Sequence, residues 1–253
     1  MNGQQLPAQF YSGISGLQLP IPKYLYPPPY QDSSRLTYYA SLFNSIEFNS
    51  TFYKLPKAAT VSNWAQSVPE NFRFTFKLWK QVTHNKGFEF DEGDVELFMN
   101  VVSAVGEKKG CLLIQFPPSL GKEYIMQLDR LLSSIKRLDP GSTWKVAVEF
   151  RNSSWYHQGT YELLELHHAA MVRQDIPKSA TPAVESDANF EYIRFHGPTG
   201  NYRDGYDEDF LYEYAGYISE WVEGGKTVYV YFNNTMGDAL VNLKTLNSFV
   251  SDK

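Results

Sequence analysis

Phe72-Arg73-Phe74-Thr75-Phe76-Lys77 puts three phenylalanines on one parity and Arg73, Thr75 and Lys77 on the other. Period-two alternation marks a strand with one apolar and one polar face, because successive side chains point to opposite sides of a pleated sheet. Upstream, Ser45 to Asn49 sets Ile46 and Phe48 against Ser45, Glu47 and Asn49. Downstream, Lys145 to Arg151 sets Val146, Val148 and Phe150 against Ala147, Glu149 and Arg151. Tyr192 to His196 opposes Ile193 and Phe195 to Arg194 and His196, and Thr227 to Asn233 opposes Val228, Val230 and Phe232 to Tyr229, Tyr231 and Asn233. Phe10 to Ile14, Cys111 to Phe116 and Ala170 to Arg173 complete a set of eight predicted strands.

Between the strands lie longer amphipathic segments. Helices are predicted over Ser34 to Phe43, Ala58 to Gln66, Val95 to Val105, Glu123 to Arg137, Gly159 to His168, Glu208 to Val222 and Ala239 to Phe249. The stretch from Gln174 to Glu191 contains Pro177 and Pro182 and little periodicity, so the helix after the sixth strand is predicted to be missing or reduced to a turn. Strands alternating with helices imply a parallel sheet, and 253 residues match the roughly 250 typical of a (β/α)8 TIM barrel. No linker, repeat or low-complexity tract divides the chain, so residues 1–253 are read as one such domain. A doubly wound sheet would carry a glycine-rich phosphate loop after an early strand; no GxGxxG or Walker pattern occurs, and no nucleotide cofactor is expected.

In a barrel the apolar parity faces the surrounding helices, which leaves the polar parity facing inward. Barrel interiors normally hold branched apolar side chains, so inward charges must pair or meet ligand and water. Glu47, Lys77, Gln115, Glu149, Arg151, Asp175, Arg194, His196 and Asn233 all fall at the carboxyl ends of predicted strands, where barrel enzymes place their sites. The plain alternative is that Glu47, Glu149 and Asp175 only neutralise Lys77, Arg151 and Arg194 in an interior ion-pair network.

Composition narrows the function classes. The net charge of −5 works against sequence-independent attraction to nucleic acid. Met1 to Phe10 is polar with no basic patch and apolar run, and no span reaches membrane length, so no membrane partner is expected. The single cysteine, Cys111, cannot form an internal disulfide; it reads as a buried core residue and suits the cytoplasm.

Six segments carry a resemblance that covers nearly the whole chain. They are IEFNSTFYKLP (Ile46 to Pro56), FRFTFKLWKQVTH (Phe72 to His84), LLIQFPPS (Leu112 to Ser119), VAVEFRNSSW (Val146 to Trp155), YIRFHG (Tyr192 to Gly197) and VYVYFNN (Val228 to Asn234). In this order they resemble the YecE-like family, domain of unknown function 72. The resemblance implies a TIM barrel and brings no assigned reaction. Its recurring polar positions fall here on Glu47, Asn49, Tyr53, Lys77, His84, Gln115, Glu149, Arg151, Trp155, Asp175, Arg194, His196 and Asn233. The chain departs from the pattern at Leu17, where tryptophan is common, at Asn152-Ser153 in place of His-Pro, and at Ile176, where serine follows the aspartate.

The preferred reading is an enzyme acting on a small anionic substrate, phosphorylated or carboxylated. Lys77, Arg151 and Arg194 would hold the anion, and Glu47 or Glu149, with a raised carboxyl pKa, would act as general base, with His196 or Asp175 moving the second proton. Gln115 and Asn233 add hydrogen bonds, Tyr53, Trp155 and Tyr202 would stack on a ring, and His84 belongs to a long loop from Leu78 to Asp94 read as a lid. One alternative is a single divalent metal on Glu47, Glu149, Asp175 and His196, opposed by three neighbouring cations. Another, not favoured, is nucleic-acid binding through Lys54, Lys57, Lys80, Lys86 and Arg203. No GxSxG, CxxC or HExxH signature is present, so none of these motifs points to a nucleophile.

Overall fold

A computed structural model describes residues 6–253. Its strands are β1 (Phe10–Ile14), β2 (Ser45–Phe48), β3 (Arg73–Lys77), β4 (Lys109–Gln115), β5 (Lys145–Glu149), β6 (Ala170–Met171), β7 (Arg173–Gln174), β8 (Phe190–Phe195) and β9 (Thr227–Phe232). They pair in parallel as two sheets, ordered β1-β9-β8-β7 and β2-β3-β4-β5-β6. The predicted sixth strand is thus divided: β6 pairs with β5 through Ala147 and Val148, whereas β7 pairs with β8 through Ile193 and Arg194. Val172 lies between the halves and its N–H donates to Val148 O at 2.9 Å.

The sheets also approach beyond β1. Ser15 bridges Glu47 in parallel, and the Gly16 N–H donates to Glu47 O at 2.8 Å. Gly13 makes this approach feasible, because a Cβ there would sit 2.2 Å from Ser45 O.

The helices are α1 (Arg35–Ala40), α2 (Ser50–Tyr53), α3 (Ala58–Gln66), α4 (Lys80–Thr83), α5 (Glu92–Val102), α6 (Ile125–Leu138), α7 (Gln158–Leu166), α8 (Glu208–Glu223) and α9 (Ala239–Ser251). Side-chain caps start several of them: Ser34 accepts from Thr37 N, Asp91 from Gly93 N and Asp207 from Phe210 N. In α6, Leu128, Leu131, Leu132 and Ile135 are buried at the spacing of one helix face. Among the described residues no helix is long and apolar enough to cross a membrane.

Strand parity divides the core in two. Ile46, Phe48, Phe74, Phe76, Ile114, Val148, Ile193, Phe195, Val228 and Val230 join one cluster with helix residues such as Val61, Phe98, Leu128, Leu211 and Leu243. Cys111, Leu113, Ala147, Ala170, Val172, Tyr192, Tyr229 and Tyr231 form a second cluster that contains no helix residue. Phe48 stacks on Phe74 and Phe76 under Trp64 on the helix side. Removing the ring of a fully buried residue such as Phe74 costs about 3–5 kcal/mol.

No helix follows β7. Residues 175–189 form turns and coil, and a buried carboxylate on the helix side of β8, Glu191, fastens them. Its Oε2 accepts from Arg173 Nε and its Oε1 from Lys226 Nζ, each at 2.8 Å. Arg173 Nη2 also donates to Val184 O at 3.1 Å, and Lys226 Nζ to Ser186 O at 2.6 Å. Arg173 and Lys226 thus tether the segment to β8, and a cavity of about 1020 Å³ is lined by it and by Phe210, Tyr214, Tyr217 and Trp221 of α8.

Candidate functional site

The polar parity converges where β2, β3, β4, β5 and β8 end. Glu47 is fully buried and Arg194 is 1% exposed. The guanidinium of Arg194 grips Glu47 with two bonds, Nη2 to Oε1 at 2.8 Å and Nε to Oε2 at 3.0 Å. Ser15 Oγ and Tyr192 OH donate to the same two oxygens, so both lone-pair sets of Glu47 are in use. On its other side Arg194 Nη1 donates to Glu149 Oε2 at 2.5 Å, while Arg151 donates to Glu149 Oε1.

These contacts correct the general-base expectation. Burial alone would raise the Glu149 carboxyl, but Arg151, Arg194, His196 and Lys77 together hold it well below the usual carboxylate range. The direction is opposite to that of a poised base. Arg194 likewise has its donors committed within the protein rather than offered to an anion. For Glu47, Glu149 and Arg194 the structure favours the ion-pair network.

His196 is fully buried and points a definite proton. Its Nε2 lies 2.9 Å from Arg151 Nη2 and 3.2 Å from Arg194 Nη1; guanidinium nitrogens only donate, so Nε2 accepts and the proton resides on Nδ1. Nδ1 faces Asp175 Oδ1 at 3.1 Å, and the His196 backbone N–H donates to the same oxygen at 2.8 Å. Asp175 Oδ2 accepts from Tyr206 OH, which in turn accepts from the Gly197 N–H at 2.6 Å. Burial, with the neighbouring guanidiniums, keeps His196 below its ordinary pKa despite Asp175 and Glu149. It is a neutral imidazole oriented by a carboxylate.

Lys77 differs from the two arginines. Its Nζ donates to Gln115 Oε1 at 2.8 Å and sits 4.3 Å from the centre of the Phe52 ring, and it makes no ion pair among the described residues. Burial, then Arg194, lowers the ammonium to about 8 against the pull of Glu149 and Glu47. Thr51 holds Phe52 in place by donating its hydroxyl to Phe48 O and to Lys77 O, which fastens α2 to the end of β3. His84 packs edge-on against the same Phe52 ring, 4.7 Å between centres, and burial together with Lys77 lowers it to about 4.

The remaining expected residues spread out. Asn233 is half-buried on the parity of Tyr229 and Tyr231, with no side-chain hydrogen bond within the described residues. Asn49 has its Oδ1 buried without a protein partner. Tyr53 is 69% exposed at the rim, whereas Tyr202, carried on the loop after β8, brings its OH to 3.5 Å from Arg151 and its ring edge-on to His196. Trp155 does not reach the cluster: it is fully buried, stacks on Phe150 and Phe116, and donates Nε1 to Leu120 O. The loop from Leu78 to Asp94 is packed down by Phe88 and Phe90 and contains α4, so it is not an open flap.

Phe52, Ser15, Tyr192 and Tyr206 belong to the site and were not predicted. Parity identifies Tyr192, two residues before Arg194. Phe52 lies in a four-residue helix, too short to leave a periodic signature, and Tyr206 reaches Asp175 from a loop 31 residues away.

The cavity beside α8, which Asp175 and Arg194 also line, is the weaker candidate, since Arg173, Glu191 and Lys226 in its wall already satisfy one another. As to a metal, Arg194 lies between the carboxylates of Glu47 and Glu149, and no group of three or more His, Cys, Asp or Glu side chains among the described residues is arranged to hold one.

Comparison with known proteins agrees with this architecture. The chain is 27% identical over 255 residues to the UPF0759 protein YunF of Bacillus subtilis, covering 88% of each. It superposes on a DUF72 family protein of Enterococcus faecalis with a TM-score of 0.79 at 22% identity, covering 95% of both chains. A DUF72 family protein of Thermotoga maritima matches with a TM-score of 0.68 at 26% identity, over 95% of this chain and 97% of that one. The family described as "Protein of unknown function DUF72" matches residues 11–253, and the chain belongs to that family.

Proposed function

We propose that the two sheets close into one eight-stranded (β/α)8 barrel whose strand-end cluster binds a small phosphorylated or carboxylated ligand for general acid/base catalysis. Closure is supported by the Ser15–Glu47 bridge on one side, by β6 and β7 being two halves of one strand on the other, and by a second core cluster built without helix residues.

The observation that carries the ligand reading is Lys77, a half-buried cation at a strand end with no carboxylate of its own. An anion arriving there would complete its pairing, and Arg151, 11% exposed and bound to Glu149 on one edge, would supply a second donor. Glu47, Glu149 and Arg194 then act as the scaffold beneath. Proton transfer falls to the neutral His196, oriented by Asp175: its Nε2 accepts from Arg151 and Arg194, and an anion that draws Arg151 toward itself would release that lone pair to take a proton.

Calorimetric titration with inorganic phosphate and a set of sugar phosphates tests the reading. Saturable binding that Lys77→Met weakens about tenfold or more supports it. Equal affinity in the wild type and the variant would remove the anion from the site.

A further inference from the structure

Helix α8 carries two stripes at helical spacing. Leu211, Ala215 and Ile218 are buried in the core cluster shared with the strands. Phe210, Tyr214, Tyr217 and Trp221 repeat that spacing on the adjoining face and line the cavity of about 1020 Å³. The second stripe is only partly covered, and Tyr217 is 41% exposed. Its rings present faces rather than a closed stack: Tyr214 and Tyr217 meet at 90°, 5.7 Å between centres, and so form a corner. The same wall already receives one cation, since the Arg173 guanidinium lies 5.1 Å from the centre of the Trp221 ring.

The charge of the lining is not balanced within it. Arg173 and Lys226 are paired with Glu191, and Arg194 with Glu47 and Glu149. Asp175 and Glu213, which also line the cavity, have no Lys or Arg partner among the described residues. Asp175 is met by neutral donors: the His196 backbone N–H, His196 Nδ1 and Tyr206 OH. With donors on both oxygens it needs no proton of its own and stands as a carboxylate. Glu213 Oε1 accepts from Tyr217 OH at 2.6 Å, which places a second negative charge at the aromatic corner. Both groups have hydrogen bonds from within the protein, so what they offer a ligand is chiefly charge.

We propose that this cavity binds an N-alkylated ammonium ion, with the cationic head against the Tyr214–Tyr217 corner beside Glu213. Aromatic faces attract a cation through the ring quadrupole and cover its alkyl groups at the same time, and a quaternary head has no N–H that would call for a free acceptor. Asp175 adds the same charge preference where the lining adjoins His196. The site is separate from the anion reading above, because neither Lys77 nor Arg151 lines the cavity.

The test titrates the full chain, labelled with nitrogen-15, with benzyltrimethylammonium, with choline and with 3,3-dimethyl-1-butanol, the uncharged analogue of choline. Saturable shifts are expected at amides of α8 and residues 180–187 for both cations, with the alcohol weaker by about fivefold or more. Added inorganic phosphate should leave the choline affinity unchanged. Tyr217→Leu, at an exposed side chain, should weaken choline about fivefold, whereas Tyr217→Phe, which keeps the ring and loses the bond to Glu213, should weaken it less. Shifts that never saturate with either cation overturn the site. So does equal affinity for choline and the alcohol, or for the wild type and Tyr217→Leu.

Discussion

Glu149 and Glu191 are both buried carboxylates clasped by two cations, one at the ends of the strands and the other on the helix side of β8. Around Glu191 the outer donors of both cations go to backbone carbonyls of the tethered segment, and the charges are consumed in holding the chain together. Around Glu149 both cations reach on to His196, whose other nitrogen is held by Asp175, and the arrangement continues into one group that is not consumed: Lys77, which lacks a carboxylate. Similar ion-pair chemistry thus fastens a loop in one place and underlies a chemically open mouth in the other. What distinguishes them is whether the neighbouring polar atoms are already satisfied.

Breaking the inner network should have the larger effect. Arg194→Met strands Glu47 and Glu149 without their shared cation and is expected to lower stability by about 3–5 kcal/mol, read as a shift in the urea midpoint. Glu191→Gln should cost less, about 1–3 kcal/mol, because Arg173 and Lys226 are partly exposed and can turn to water. Its distinguishing readout is faster amide exchange over residues 180–187, with the strand-end amides unchanged.

The two acid–base signs at the mouth sharpen the contrast further. Glu149 is depressed in the folded state, so its contribution is present above the unfolded carboxylate value and is lost as pH falls through that range toward the folded one. Urea midpoints from about pH 7 to about pH 3 should fall more steeply for the wild type than for Glu149→Gln. Lys77 is depressed as well, but as a base: between about 8 and its ordinary 10.5 the unfolded chain binds the extra proton, so stability rises with pH there. Lys77→Met should remove this rise, the smallest of the four effects, and a rise of equal size in the variant would reassign it to another group.

Much of this was legible in the residues. The alternation of Phe72 to Lys77 and of its four counterparts places five of the strands, because burial on the helix side leaves only one parity free to be polar. The missing helix after the sixth strand follows from Pro177 and Pro182. The split at Val172 does not, since a change of pairing partner within one short strand depends on the geometry of both neighbours rather than on its own sequence. At the site, parity brings Glu47, Glu149, Arg194 and His196 together. It does not say that Arg194 would satisfy both glutamates, which reverses the expected role of Glu149. Nor does it distinguish Trp155, sealed under Phe150, from Tyr53, left in water at the end of α2.

The two-sided grip of Arg194 has a consequence for how a ligand would be received. Its guanidinium is fixed by four hydrogen bonds to three side chains before anything binds, so the dipoles beneath the mouth already point the way they must. An incoming charge would meet a preorganised field and would not have to reorient it, which places the specificity of the pocket in its rigid floor rather than in a moving lid.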